Sequence, residues 1–168
     1  MQDRLPALRL HAGLLGPLTS AVDPSGGAAC GLPGSGGDEQ TIRLVFAMRT
    51  IAVVGCSPKP WRPSHYVAEY LKSQGYRVVP VNPGHKEILG EICYPSLTEI
   101  PFPVDVVDVF RRAEEVLPVI EQAVGIKAKA LWLQDGITHP AGEAMARKAG
   151  LLVVSNDCMM RRHSRQGR

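Results

Sequence analysis

Five short runs of apolar and β-branched residues recur along the chain: IAVVG at 51–55, YRVVPV at 76–81, VDVVDVF at 104–110, KALWLQ at 129–134 and LLVV at 151–154. Apolar positions are continuous in these runs rather than alternating, so both faces must be covered, as in parallel strands packed between helices. The segments between them are punctuated as helices. Residues 64–74 open on Ser64 and stop at Gly75, 117–124 carry Pro118 in the first turn, and 140–149 stop at Gly150. Ahead of the first run, DEQTIRLVFAM pairs an N-cap aspartate, Asp38, with apolar residues at helical spacing, Ile42, Val45 and Phe46. Ser96 and Glu99 form a capping-box pattern that predicts one helical turn. The alternation predicts an α/β fold: a Rossmann-like, doubly wound, mostly parallel sheet of about five strands with right-handed crossovers, in a single domain.

The 168 residues suit one domain of ordinary size. Residues 1–37 hold eight of the seventeen glycines and four prolines without sustained periodicity, and read as a poorly ordered leader; 38–158 form the domain, and 159–168 a basic C-terminal tail. Between Asp38 and Cys158 thirteen Lys or Arg face fourteen Asp or Glu, whereas Arg161, Arg162, Arg165 and Arg168 stand unopposed in sequence. That tail reads as a solvated, frayed terminus, and the balanced body argues against nucleic-acid binding. No apolar run reaches the roughly 18 residues of a membrane span. Cys30, Cys56, Cys93 and Cys158 make no C-x-x-C pair, and the five histidines are scattered, which argues against a metal site and fits a reducing, cytoplasmic setting.

In open parallel sheets ligands bind beyond the carboxyl ends of the strands, so the loops there carry the functional reading. After the first strand come Gly55, Cys56, Ser57, Pro58, Lys59, Pro60, Trp61, Arg62, Pro63 and Ser64. Gly55 allows a sharp turn, Ser57 and the loop amides can face an anion, and the following helix start adds its dipole. Lys59 and Arg62 add two formal charges, more than a pyrophosphate held by backbone needs. After the second strand, Asn82, Pro83, Gly84 and His85 replace the acidic residue that would take the ribose hydroxyls of NAD. Phe110 and Arg111 follow the third strand, and Gln134, Asp135 and Gly136 the fourth, suited to flanking an adenine, pairing with a phosphate or letting backbone approach a ligand. No nucleophile–base pair or Walker lysine motif is evident; Cys56, beside a helix start and cations, is the one residue placed for thiolate chemistry, with a small core side chain as its other reading.

The blocks IAVVGCSPKPWRPSHYVAEYL, GYRVVPVNPG, LGEICYPSLTEIP, VDVVDVFRR, ALWLQDGI and DCM, in this order and spacing, closely resemble the small stand-alone CoA-binding-domain proteins. The match covers about Asp38 to His163. More distantly, the chain is similar to the CoA-binding domain of the succinyl-CoA synthetase α-subunit. That resemblance implies CoA contacts from Ser57 to Lys59, from Pro83 to His85 and from Gln134 and Asp135. The synthetase carries a lysine where this chain has His85. The likeness reaches neither the synthetase's second domain, with its phosphorylated histidine, nor its partner subunit, so a ligase reaction does not carry over. The resulting expectation is a protein that binds coenzyme A or an acyl-CoA without catalysis of its own. The alternatives are a small NADP- or acyl-CoA-using enzyme relying on Cys56 or Cys158, and a ligand-free regulatory or interaction module.

Overall fold

A computed structural model describes residues 37–166. The expected leader, 1–37, therefore lies outside the described residues save for Gly37. Helix α1 spans Glu39–Phe46; Asp38 caps it by accepting from the Thr41 N–H at 2.8 Å, and Ile42 and Val45 are its buried face. Strand β1 (Thr50–Val54) is buried along its whole length. Helix α2 (Pro63–Ser73) starts one residue before the sequence expectation. Pro63 has its φ preset for the first helical position and lacks only an N–H that would be unpaired there, so Arg62 becomes the N-cap and Ser64 lies inside the first turn.

The chain continues through β2 (Arg77–Val81), the two-residue hairpin strands β3 (Glu87–Ile88) and β4 (Glu91–Ile92), and a 3₁₀ turn at Leu97–Glu99. In that turn Ser96 Oγ donates to the Glu99 carboxylate at 3.2 Å and no side chain caps a backbone N–H, so the expected turn forms without the two reciprocal bonds of a capping box. Strand β5 (Val106–Val109), helix α3 (Val116–Gly125), β6 (Ala130–Leu133), α4 (Pro140–Lys148), β7 (Leu152–Val154) and α5 (Met159–Gln166) complete the order.

Five of the strands form one parallel sheet in the order β2-β1-β5-β6-β7. The chain leaves β1 toward β2 and then returns to the opposite side of β1 at β5. Strand order reverses there, which opens a crevice at the carboxyl ends of β1 and β5. The doubly wound, Rossmann-like expectation is met. One apolar layer joins Ala52, Val54, Val81, Val107 and Leu131 to α3 and α4; the other joins Ile51, Val53, Val106 and Trp132 to α1, α2 and α5.

The C-terminal segment departs from the expectation of a frayed tail. Met159 is fully buried. The His163 ring stands edge-on to Phe46, Tyr70 and Tyr76 at centroid distances of 5.0, 5.7 and 5.4 Å. Two of the segment's arginines are opposed in space: Arg161 grips Asp135 through two bonds of 2.8 Å and Arg162 pairs with Asp157 and Glu39. Asp157 is a near neighbour in sequence, but Asp135 and Glu39 come from distant parts of the chain, which a count along the last ten residues does not register. No described helix is long and apolar enough to cross a membrane.

Candidate functional site

The loop between β1 and α2 turns at Gly55, whose φ of +83° is one that L side chains rarely adopt, and whose missing Cβ would strike the carbonyl oxygen of Phe110 at the end of β5. That contact fixes the loop against the neighbouring strand at the switch point. The loop is then closed from within. The Ser57 N–H donates to Ser64 Oγ at 3.1 Å, the Lys59 N–H to Ser57 Oγ at 3.2 Å, and the Arg62 N–H to the Lys59 carbonyl at 3.0 Å. His65 Nδ1 lies 2.8 Å from the Ser57 carbonyl, and since a carbonyl only accepts, Nδ1 carries the proton. Ser64 and His65 were not among the sequence-derived site residues. Their signal was the short return from Ser57 to the start of α2, legible only once Pro63 is recognised as the first helical residue.

From the next strand end, the Asn82 side-chain amide donates to the Cys56 carbonyl at 2.8 Å while its oxygen accepts from the Gly84 N–H at 3.0 Å. Asn82 thus ties the Asn-Pro-Gly turn to the first loop. Together Gly55, Ser57, Pro58, Lys59, Arg62, Asn82 and His85 line a cavity of about 440 Å³, with Pro63, Ser64 and Phe110 completing the wall. The α2 N-terminus, with its positive dipole end, opens into the same space as the Lys59 and Arg62 side chains. Among the described residues neither cation has a carboxylate partner; Lys59 Nζ stands 5.8 Å from the ring centroid of Trp61, which is 72% exposed.

The remaining expected residues fall elsewhere. Pro83 and Arg111 line a second cavity, about 390 Å³, on the α3 side of the sheet. Arg111 lies across Gly55 and has Nη1 3.8 Å from Glu115. Gln134 turns inward and is 4% exposed, its amide donating to Asp108 Oδ1 at 2.7 Å. Asp135 is held by Arg161, and the Gly136 N–H donates to Asn156 Oδ1 at 2.8 Å. The 134–136 loop therefore lines neither cavity. Cys56 is wholly buried under the first loop with Sγ 3.6 Å from the Ser64 carbonyl; burial, with Cys93 and Asp108 nearby, pushes its thiol up to about 12, so the thiolate is not populated at neutral pH. No three His, Cys, Asp or Glu side chains converge as a metal site among the described residues.

Residues 49–164, which include the β1–α2 loop and all five strands of the parallel sheet, match the family model of the CoA binding domain. The chain belongs to that family. Among its relatives, the uncharacterized protein YneT of Bacillus subtilis (strain 168) is 37% identical over 116 residues, spanning 69% of this chain and 86% of YneT. A hypothetical protein of Pyrococcus horikoshii OT3 of known structure is 41% identical with a TM-score of 0.73, covering 76% of this chain and 90% of that one. The ADP-forming acetate–CoA ligase I of Archaeoglobus fulgidus is 33% identical over 78 residues, which are 46% of this chain and 11% of the ligase. The CoA-binding domain family is thus met here both in chains of similar length and as a small part of a far longer enzyme.

Proposed function

We propose that the protein binds coenzyme A or an acyl-CoA, with its phosphates in the cavity above the β1–α2 loop. The observation that carries this reading is the meeting, at the switch point, of a helix N-terminus, the Ser57 loop and the side chains of Lys59 and Arg62 in one cavity. Coenzyme A carries a 3′-phosphate besides its pyrophosphate and calls for more cationic contact than NAD does; charge-assisted bonds to phosphate are among the stronger polar contacts. Asn82 serves as the brace that holds two strand-end loops in register, Gly55 lets the backbone approach the pyrophosphate, and His85 stands at the cavity wall. Arg111 is within reach of the loop from the other side of Gly55. Membership of the family and the likeness to a CoA ligase support the same ligand class. The buried, protonated Cys56 supports binding rather than covalent catalysis by that thiol.

Titration calorimetry on the full chain tests the reading with four ligands: coenzyme A, dephospho-CoA, NAD and NADP. Coenzyme A is expected to bind most tightly and dephospho-CoA roughly tenfold more weakly, the equivalent of one lost charge-assisted contact. Equal affinity for the first two defeats the role given to the cations. Tighter binding of NADP than of coenzyme A transfers the site to a nicotinamide dinucleotide.

A further inference from the structure

The carboxyl edge of the sheet divides two cavities, and three strand ends contribute consecutive residues to both. At the end of β1 Val54 faces the second cavity and Gly55 the first; after β2 Pro83 follows Asn82; after β5 Arg111 follows Phe110. The cavities are therefore adjoining halves of one crevice that straddles the sheet. Their chemistry differs sharply. The first carries Lys59, Arg62 and a helix N-terminus. The second is walled by Val54, Val81, Pro83, Leu97, Pro118 and Val119. Three of these, Val54, Val81 and Leu97, belong to the packed layer under α3, so the walls are as fixed as the core. Gln122 Oε1 accepts from the Leu97 N–H at 3.2 Å, which pins the 3₁₀ turn to α3 and occupies that oxygen. The charged groups at this cavity are Arg111, Glu114 and Glu115, one cation against two carboxylates.

We propose that the second cavity receives the acyl end of a thioester whose phosphates occupy the first, and that Glu114 and Glu115 select neutral aliphatic acyl groups over those ending in a carboxylate. The inference rests on the phosphate reading of the first cavity. An anionic head with a long, largely uncharged arm fits a crevice whose one half is cationic and whose other half is apolar; a dinucleotide, polar at both ends, leaves the apolar half unmatched. At about 390 Å³ the second cavity is within the ordinary range of small-molecule sites. A carboxylate at the end of the acyl group would meet a net negative rim, Glu114 together with a Glu115 that Arg111 offsets from 3.8 Å, which is repulsion used for specificity.

The experiment compares adenosine 3′,5′-bisphosphate, coenzyme A, butyryl-CoA and succinyl-CoA by calorimetry on the full chain. Butyryl-CoA is expected to bind roughly tenfold more tightly than coenzyme A, from burial of its added methylenes, and at least roughly tenfold more tightly than succinyl-CoA. In a Glu114→Gln, Glu115→Gln variant the succinyl-to-butyryl ratio of dissociation constants should fall toward one; the shared phosphates cancel in that ratio. Val119→Trp, which fills the groove, should abolish the butyryl advantage while leaving the bisphosphate unaffected. Both glutamates are exposed, so the double variant carries the test even where the tryptophan perturbs folding. Equal affinity for butyryl- and succinyl-CoA, or a ratio that the double variant does not move, overturns the proposal and leaves the phosphate reading standing. Weakening of the bisphosphate itself by Val119→Trp overturns it by placing the base in this groove. Failure of every ligand to bind removes the phosphate reading and this inference together.

Discussion

Gln134 and Asp108 meet at the centre of the sheet, Nε2 to Oδ1 at 2.7 Å, both buried and Asp108 completely so. Asp108 Oδ2 has no hydrogen-bond partner among the described residues. Burial pushes this carboxyl up to about 7, opposed more weakly by the Gln134 amide and the Val109 N–H. The sign follows from proton counts. Between the unfolded value near 4 and the folded value near 7 the native state holds a proton that the unfolded chain has released, so stability falls as pH rises through this window and levels off above it. The cost is on the order of 4 kcal/mol at full ionisation, by the roughly 1.4 kcal/mol that each pKa unit represents. Asp108→Asn should flatten this slope. Urea unfolding of both forms from pH 4.5 to 8 checks it, and parallel curves would refute the assignment.

Gly55→Ala places a Cβ against the Phe110 carbonyl in a backbone conformation that alanine resists. A loss of stability of about 1–3 kcal/mol is expected from strain alone. Because the loop must move to relieve the clash, CoA affinity should fall together with the melting temperature. Gly75→Ala, also at positive φ but with open space around its Cβ, should lower stability without touching affinity. The pair separates backbone strain from disruption of the site.

Lys59→Ala and Arg62→Ala should each weaken coenzyme A by roughly ten- to a hundredfold, the range for a lost hydrogen bond to a charged group. Dephospho-CoA should lose less with whichever cation serves the 3′-phosphate. Calorimetry of the two variants against the two ligands gives four ratios, and the smaller loss names that cation. Asn82→Asp is predicted to act through the loop instead: it replaces the donor to the Cys56 carbonyl with an acceptor, so melting temperature and affinity should drop for both ligands alike.

The sheet and its order of elements were legible because buried parallel strands are nearly continuous apolar runs, and Gly75, Gly150 and Asp38 mark their helices by local chemistry that needs no partner. The loop after β1 was legible for the same reason: Gly55, Ser57, Lys59 and Arg62 lie within eight consecutive residues. Gln134 and Asp135 were harder. Each is polar at a strand end, the position where ligands bind, yet one is satisfied by Asp108 and the other by Arg161, partners 26 residues away in either direction. The second cavity was legible only at its edge, through Pro83 and Arg111 at strand ends; Val54, Val81 and Leu97 in its walls are ordinary core residues whose exposure at the crevice depends on how α3 packs.

The C-terminal helix offers the sharpest contrast between chain order and space. By sequence, Met159 begins a run of arginines and an alanine there should be silent; in the structure its side chain is wholly enclosed beneath α1 and α2 with Phe46 and Trp132 in the same layer. Met159→Ala is therefore expected to cost about 2–5 kcal/mol, the range for deleting a large buried aliphatic group. Arg161→Ala, which breaks a half-exposed pair with Asp135 and one of the two arginine contacts of the buried Asp157, the other being Arg162, should cost less, about 1–2 kcal/mol. Urea midpoints of the two variants decide between the arrangements: a docked helix makes the methionine the larger loss, whereas a frayed tail makes both indistinguishable from the parent. Since Arg161 also fixes the 134–136 loop, Arg161→Ala further tests whether that loop contributes to CoA binding, and an unchanged dissociation constant would assign it to the scaffold alone.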